Sequence, residues 1–263
     1  MAKPEIRTVD VIRYVTPLRE GGSLPAIVEA DDEFLYVMKF RGAGQGVKAL
    51  VAELIGGELA RAMGLKVPEL VFMNLDDSFS KTEPDEEIQD LLRFSVGLNL
   101  GLHFLSGSIT YDPLVSPVDS LTASKVVLLD SLITNIDRTV KNTNMLSWYR
   151  ELWLIDHGAS LYFHHGWDNW REQAQRTFPH VKNHVLLRRA EELETARKDI
   201  LSRISRQTFE DIVAVIPDDF LQEEGSAVGP EERKNVYVEF LSTRLANLDA
   251  LTKEAADARE ANL

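Results

Sequence analysis

Asn135-Ile136-Asp137-Arg138-Thr139-Val140-Lys141-Asn142-Thr143-Asn144, with Ile155-Asp156-His157-Gly158 a short way downstream, is the part of this chain that decides its fold. Between the two segments lie two strand-like runs, residues 145–148 and 152–155, joined by Tyr149-Arg150-Glu151. That pattern predicts a hairpin that carries Asp156 back towards Asp137 and Asn142. Phosphoryl transfer asks for a carboxylate near the attacking hydroxyl and for oxygen ligands that hold magnesium on the phosphates, and these three residues supply such a set. A purely structural alternative stands beside this reading. Asp137 would cap a turn, Asn142 and Asn144 would serve in loops, and Asp156 would end a strand, all common places for Asn and Asp. The order of the residues and the interval of five from Asp137 to Asn142 favour the chemical reading.

Upstream, three apolar stretches at residues 9–15, 26–29 and 34–40 are separated by Pro17 with Gly21-Gly22, and by Asp31-Asp32, which predicts a short antiparallel meander. A helical pattern follows over residues 48–63, with Val51, Ile55, Leu59 and Ala62 on its apolar face. Gly64 is placed to end it and Pro68 forbids continuation. Gly56 and Gly57 inside that helix each cost about 1 kcal/mol relative to alanine, which implies a close packing partner that the pattern does not identify.

In an extended 34–40 segment, Lys39 shares a face with Leu35 and Val37, while Phe34, Tyr36, Met38 and Phe40 take the other. A lysine on an apolar face meets an anion or snorkels to water at an edge. Glu53, in the following helix, is a matching carboxylate, or else an ordinary exposed helical glutamate. Gly21-Gly22-Ser23, between the first two strands, occupies the position of a phosphate-covering loop without being G-x-G-x-x-G or a Walker sequence. Backbone amides at Gly22 and Ser23 could bind phosphate oxygens there, and a plain turn is the alternative.

The acidic residues 76–87 mark an expected domain boundary, giving a unit at 1–78 and a second at 79–263. Beyond it, Asp119 or Ser120 caps a helix that runs to about Ile136, and residues 190–204 and 236–251 read as long amphipathic helices. The expected class is α+β: a small antiparallel sheet with one helix, then a mainly helical remainder.

A net charge of −13 opposes sequence-independent binding to nucleic acid or anionic membrane. No run approaches the ~18 to 20 apolar residues of a membrane span, and no signal-peptide core opens the chain. The absence of cysteine removes disulfides, thiolate metal sites and cysteine nucleophiles, and fits a reducing, cytoplasmic setting.

Residues 137–146 together with Leu154-Ile155-Asp156-His157-Gly158 resemble the catalytic and metal-binding loops of HipA-like kinases and their phosphoinositide-kinase relatives. The helix from Glu53 through Ala60-Arg61-Ala62-Met63-Gly64-Leu65-Lys66-Val67-Pro68 is similar to the HipA-type helix that carries the lysine's glutamate partner. The resemblance implies a two-lobed kinase fold using ATP and magnesium. It implies Lys39 on the nucleotide phosphates, Glu53 paired with Lys39, Asp137 near the acceptor hydroxyl, and Asn142 and Asp156 on metal. His157 replaces the phenylalanine of the usual Asp-Phe-Gly, and Thr139 stands where phosphoinositide kinases have histidine. Neither change removes a ligand.

The segment Tyr162-Phe163-His164-His165-Gly166-Trp167-Asp168-Asn169-Trp170 falls in the activation or substrate-binding region of such an enzyme. Adjacent histidines point apart, so packing of the indoles is preferred there to a metal site. Lys182, Arg188 and Arg189 read as a solvated helix face. The expected activity is ATP- and magnesium-dependent phosphorylation of a hydroxyl, foremost Ser or Thr of a protein. A small-molecule or lipid kinase, or a nucleotide-binding regulatory module with little transfer activity, are the alternatives.

Overall fold

A computed structural model describes residues 3–18, 24–223 and 225–262. The chain opens with β1 (Thr8–Pro17), β2 (Ala26–Ala30) and β3 (Leu35–Lys39), then α1 (Gly46–Ala62), β4 (Leu70–Leu75), α2 (Ser78–Thr82), α3 (Glu86–Phe94) and β5 (Gly97–His103). The expected antiparallel meander is present, but it is only part of a closed five-stranded barrel of order β1-β2-β3-β5-β4. A parallel pairing of β1 with β4 closes it. The strand that bridges β3 and β4 comes from residues 97–103, beyond the boundary expected at 78, so the barrel is complete only after β5.

Alternation along the strands sorts two cores. Val28, Tyr36, Met38, Val71 and Met73 fill the barrel. On the outer face of the same sheet, Leu70, Phe72, Leu100 and Leu102 pack into a larger core with α1 and the C-terminal helices. With both faces covered, β4 is nearly continuous apolar sequence and lacks the polar alternation of a half-exposed strand. Helix α1 is buried all round from Leu50 to Ala60, as a helix with apolar residues on every side must be. It ends as its sequence predicts: Gly64, at φ +80°, donates to Arg61 O, and Leu65 donates to Ala60 O.

The remainder comprises β6 (Ile109–Thr110), α4 (Ser120–Ile133), the hairpin β7 (Met145–Trp148) and β8 (Glu151–Leu154), then α5 (Trp170–Gln175), α6 (Leu193–Arg203), α7 (Arg206–Ala214), α8 (Asp218–Leu221), α9 (Pro230–Ala246) and α10 (Leu248–Ala261). Asp119 caps α4 by accepting from Thr122 N at 2.8 Å. The helix stops at Ile133, where Thr134 turns left-handed at φ 56°, three residues before the expected end. The helix expected over 236–251 is two helices that meet at Asn247. Lys182, Arg188 and Arg189 sit on short 3-10 turns, not on a helix face. Among the described residues no helix is long and apolar enough to cross a membrane.

Candidate active site

Alternation on β3 sends Tyr36 and Met38 into the barrel and turns Lys39 towards α1. There the Lys39 ammonium donates to Glu53 Oε2 and to Asp156 Oδ1, each at 2.7 Å. The three residues are far apart in sequence, and their exposures differ: Lys39 15%, Glu53 0% and Asp156 49%. Burial by itself would lower the pKa of the ammonium. The Asp156 and Glu53 carboxylates outweigh it and hold the pKa above its ordinary value, so Lys39 is positive. Burial likewise pushes the Glu53 pKa up, but Lys39 and the His157 side chain outweigh it and keep the carboxyl well below the usual range. The His157 amide donates to Glu53 Oε2 at 2.7 Å, which fastens the residue after Asp156 to α1.

That contact explains the paired glycines of α1. A Cβ on Gly56 would stand 2.6 Å from His157 Cβ and 2.9 Å from Cγ. One on Gly57 would stand 2.8 Å from Leu70 Cδ1. The close partners are therefore the residue beside Asp156 and strand β4.

On the other side of the hairpin, Asp137 Oδ2 accepts from Asn142 Nδ2 at 2.7 Å and from Asn144 Nδ2 at 3.0 Å. The hairpin joins this loop to Asp156, because Ile155 N donates to Asn144 O at 3.1 Å. Asn144 and Asp156 both adopt left-handed backbone, φ 48° and 58°, a region that Asn and Asp enter more readily than other side-chain-bearing residues. Gly22 and Ser23 lie outside the described residues.

A buried polar network, not foreseen from the sequence, supports this arrangement. Arg138 and Asp130 are fully buried and bonded Nε to Oδ2 at 2.6 Å. His184 Nε2 lies 2.9 Å from the same oxygen, and Asn135 Nδ2 donates to Oδ1 at 3.1 Å. Because Leu186 N donates to His184 Nδ1, the imidazole proton on Nε2 faces Asp130. Burial would raise the Asp130 pKa, but Arg138 and His184 outweigh it and hold the carboxyl well below its ordinary value. Arg138 Nη1 also donates to the carbonyls of Asn144 and Ile155, clamping both arms of the hairpin to the loop. The available signal was an aspartate at position 130 inside the otherwise apolar run of α4, where an unpaired charge would be costly.

The aromatic segment after Gly158 is mostly packing. Phe163 stacks on Phe240 with ring centroids 4.0 Å apart, Trp167 stands edge-on to Phe163 and Tyr237, and buried His164 Nδ1 is 2.8 Å from Tyr237 Oη.

The family model for HipA-like kinases matches residues 11–250. The crystal structure of the Helicobacter pylori proinflammatory kinase CtkA superposes with a TM-score of 0.53 at 14% identity, over 97% of this chain and 99% of that one. A Golgi casein kinase structure gives 0.49 at 11% identity, over 97% of this chain and 72% of the other. No curated protein matches the sequence.

Proposed function

The chain belongs to the HipA-like kinase family, and from that premise we propose that it binds ATP with magnesium and transfers the γ-phosphoryl group to a serine or threonine hydroxyl of a protein. The observation that carries this reading is the meeting of Lys39 with Glu53 and Asp156 at 2.7 Å each. It unites a permanently charged lysine, the carboxylate that fixes it and a half-exposed aspartate. We further read the barrel with α1 and the helical remainder as two lobes enclosing the nucleotide, divided after β5, in a cytoplasmic protein.

The donors available fit magnesium. It is commonly bound by one or two protein oxygens plus substrate phosphates, and half-exposed Asp156 with exposed Asn142 makes such a partial set. Among the described residues no group of three His, Asp or Glu side chains forms an all-protein cage. Asn142 spends its Nδ2 on Asp137, which leaves its Oδ1 for the metal. When bound, magnesium would neutralise charge on the β and γ phosphates.

Lys39 presents its ammonium to the phosphates, positioned by Glu53. Asp137, oriented through Oδ2 by the two asparagine amides, takes the hydroxyl proton on its other oxygen as the new P–O bond forms and the bond to the ADP oxygen breaks. The proton then passes to solvent. Calorimetry of ATP with and without magnesium, on wild type and Asp156→Asn, tests the reading. We expect magnesium to tighten ATP binding in wild type and to do so far less in the variant. No ATP binding at millimolar concentration, or an unchanged magnesium response in the variant, would overturn it.

A further inference from the structure

Most exposed cations of this acidic chain have a carboxylate beside them, as in Lys66 with Glu151, Lys81 with Asp77, Arg206 with Glu210 and Glu239, and Lys253 with Asp257. Lys141, Lys182, Arg188 and Arg189 differ, as do Lys3, Arg150, Arg171 and Lys198 on other segments. Among the described residues none of them makes an ion pair; Arg188 and Arg189 bond instead to the backbone carbonyls of Asn262 and Pro113. The first four all belong to the loop that holds Asp137 or to a segment seated against it. Lys141 lies within the loop. Thr139 forms an isolated β-bridge with His184, and Val185 N donates to Arg138 O at 3.1 Å, which seats the 182–189 segment against the loop.

Apolar side chains lie on the same surface. Val140 is 69% exposed, and Leu114 and Val115 are 90% and 75% exposed. Their loop is bound to the catalytic loop where Thr143 Oγ1 donates to Tyr111 O, and to the basic segment through Arg189 and Pro113. The nearest opposing charge in that loop, Asp112, caps its own turn by accepting from Leu114 N.

Resting on the kinase reading above, we propose that this surface docks the acceptor, and that the acceptor is an extended acidic protein segment carrying aliphatic side chains near its hydroxyl. Charge complementarity selects it: four cations without a carboxylate partner belong to the Asp137 loop or to the segment seated against it, in a chain of net charge −13. Nucleic acid is disfavoured, since the overall charge repels phosphate backbones and exposed aliphatic residues offer no stacking platform for bases.

Fluorescence anisotropy with two labelled serine peptides, one rich in Asp, Glu and Leu and one in Lys, Arg and Leu, measures docking without requiring turnover. A single-stranded oligonucleotide serves as competitor. The acidic peptide is expected to bind at least about tenfold tighter at low salt, with the gap shrinking as salt is raised. Lys182→Glu and Leu114→Asp alter exposed side chains outside the catalytic set. Each should weaken the acidic peptide and raise its KM about three- to tenfold, with kcat and ATP turnover in water unchanged. Equal binding of the two peptides, an unmoved KM in both variants, or displacement of the acidic peptide by a lower concentration of oligonucleotide would overturn the proposal. If ATP is turned over while the acidic peptide is not preferred, docking fails and the kinase reading stands. If ATP is not turned over while the acidic peptide binds and both variants weaken it, the kinase reading fails and the anionic docking surface stands.

Discussion

Gly56→Ala tests how closely α1 and the aspartate-bearing hairpin are fitted together. The added methyl would meet His157 Cβ at 2.6 Å and Cγ at 2.9 Å, against about 3.5 to 4.0 Å for an unstrained carbon contact, so one side must retreat by about 1 Å. His157 has nowhere to go: its ring is fully buried and its amide is bonded to Glu53 at 2.7 Å. Overpacking of this kind costs about 1 to 3 kcal/mol, and replacing a mid-helix glycine returns about 1 kcal/mol, leaving a net loss of about 0 to 2 kcal/mol. The effect on function is larger, because the displaced peptide carries Asp156, and misplacing a reacting group by about 1 Å can lower turnover by about 10². Gly57→Ala is the control. Its methyl meets the tip of the Leu70 side chain, which can swing aside, so stability should change by less than about 1 kcal/mol and turnover very little. Urea unfolding beside ATP turnover reads both quantities. If Gly56→Ala matches Gly57→Ala in turnover, the contact with His157 does not position Asp156 and the reasoning is wrong.

Three other perturbations follow from the same geometry. Lys39→Met should abolish most turnover and destabilise the chain by about 3 kcal/mol by leaving buried Glu53 without its cation; adding Glu53→Gln should restore part of that stability, and an additive double variant would refute the pairing. Asp137→Asn should lower kcat about 10² to 10⁴-fold with ATP affinity nearly unchanged, read from turnover and calorimetry on one preparation; lost nucleotide binding would reassign the residue to metal. Burial, with the charges of His165 and Lys48, holds the pKa of His164 well below its ordinary value, so in the window below about pH 6.5 the unfolded chain takes up a proton that the folded chain refuses. Stability should therefore fall with pH in that window, with this histidine contributing up to about 1.4 kcal/mol per unit, and His164→Gln should flatten the slope by about one proton; an identical slope in urea melts of the variant would exclude the assignment.

The sequence by itself determined the features written in local pattern. Period-two alternation fixed which face of β3 bears Lys39, glycine and proline punctuation fixed the end of α1, and the spacing from Asp137 to Asn142 with the hairpin after it fixed the order of the candidate site. Each depends on residues that are neighbours along the chain, where steric and hydrogen-bonding preferences act directly. The tertiary structure decided what depends on residues remote from one another. Strands β4 and β5 are masked in the sequence because both faces of the sheet are covered, which erases alternation in β4, while two glycines and an asparagine interrupt β5. The partner of Gly56, the network of Asp130, Arg138 and His184, and the choice of Lys39 between water and an anion were all settled by folding. A buried charge or a missing Cβ says that a partner must exist, and only packing brings the particular partner within reach.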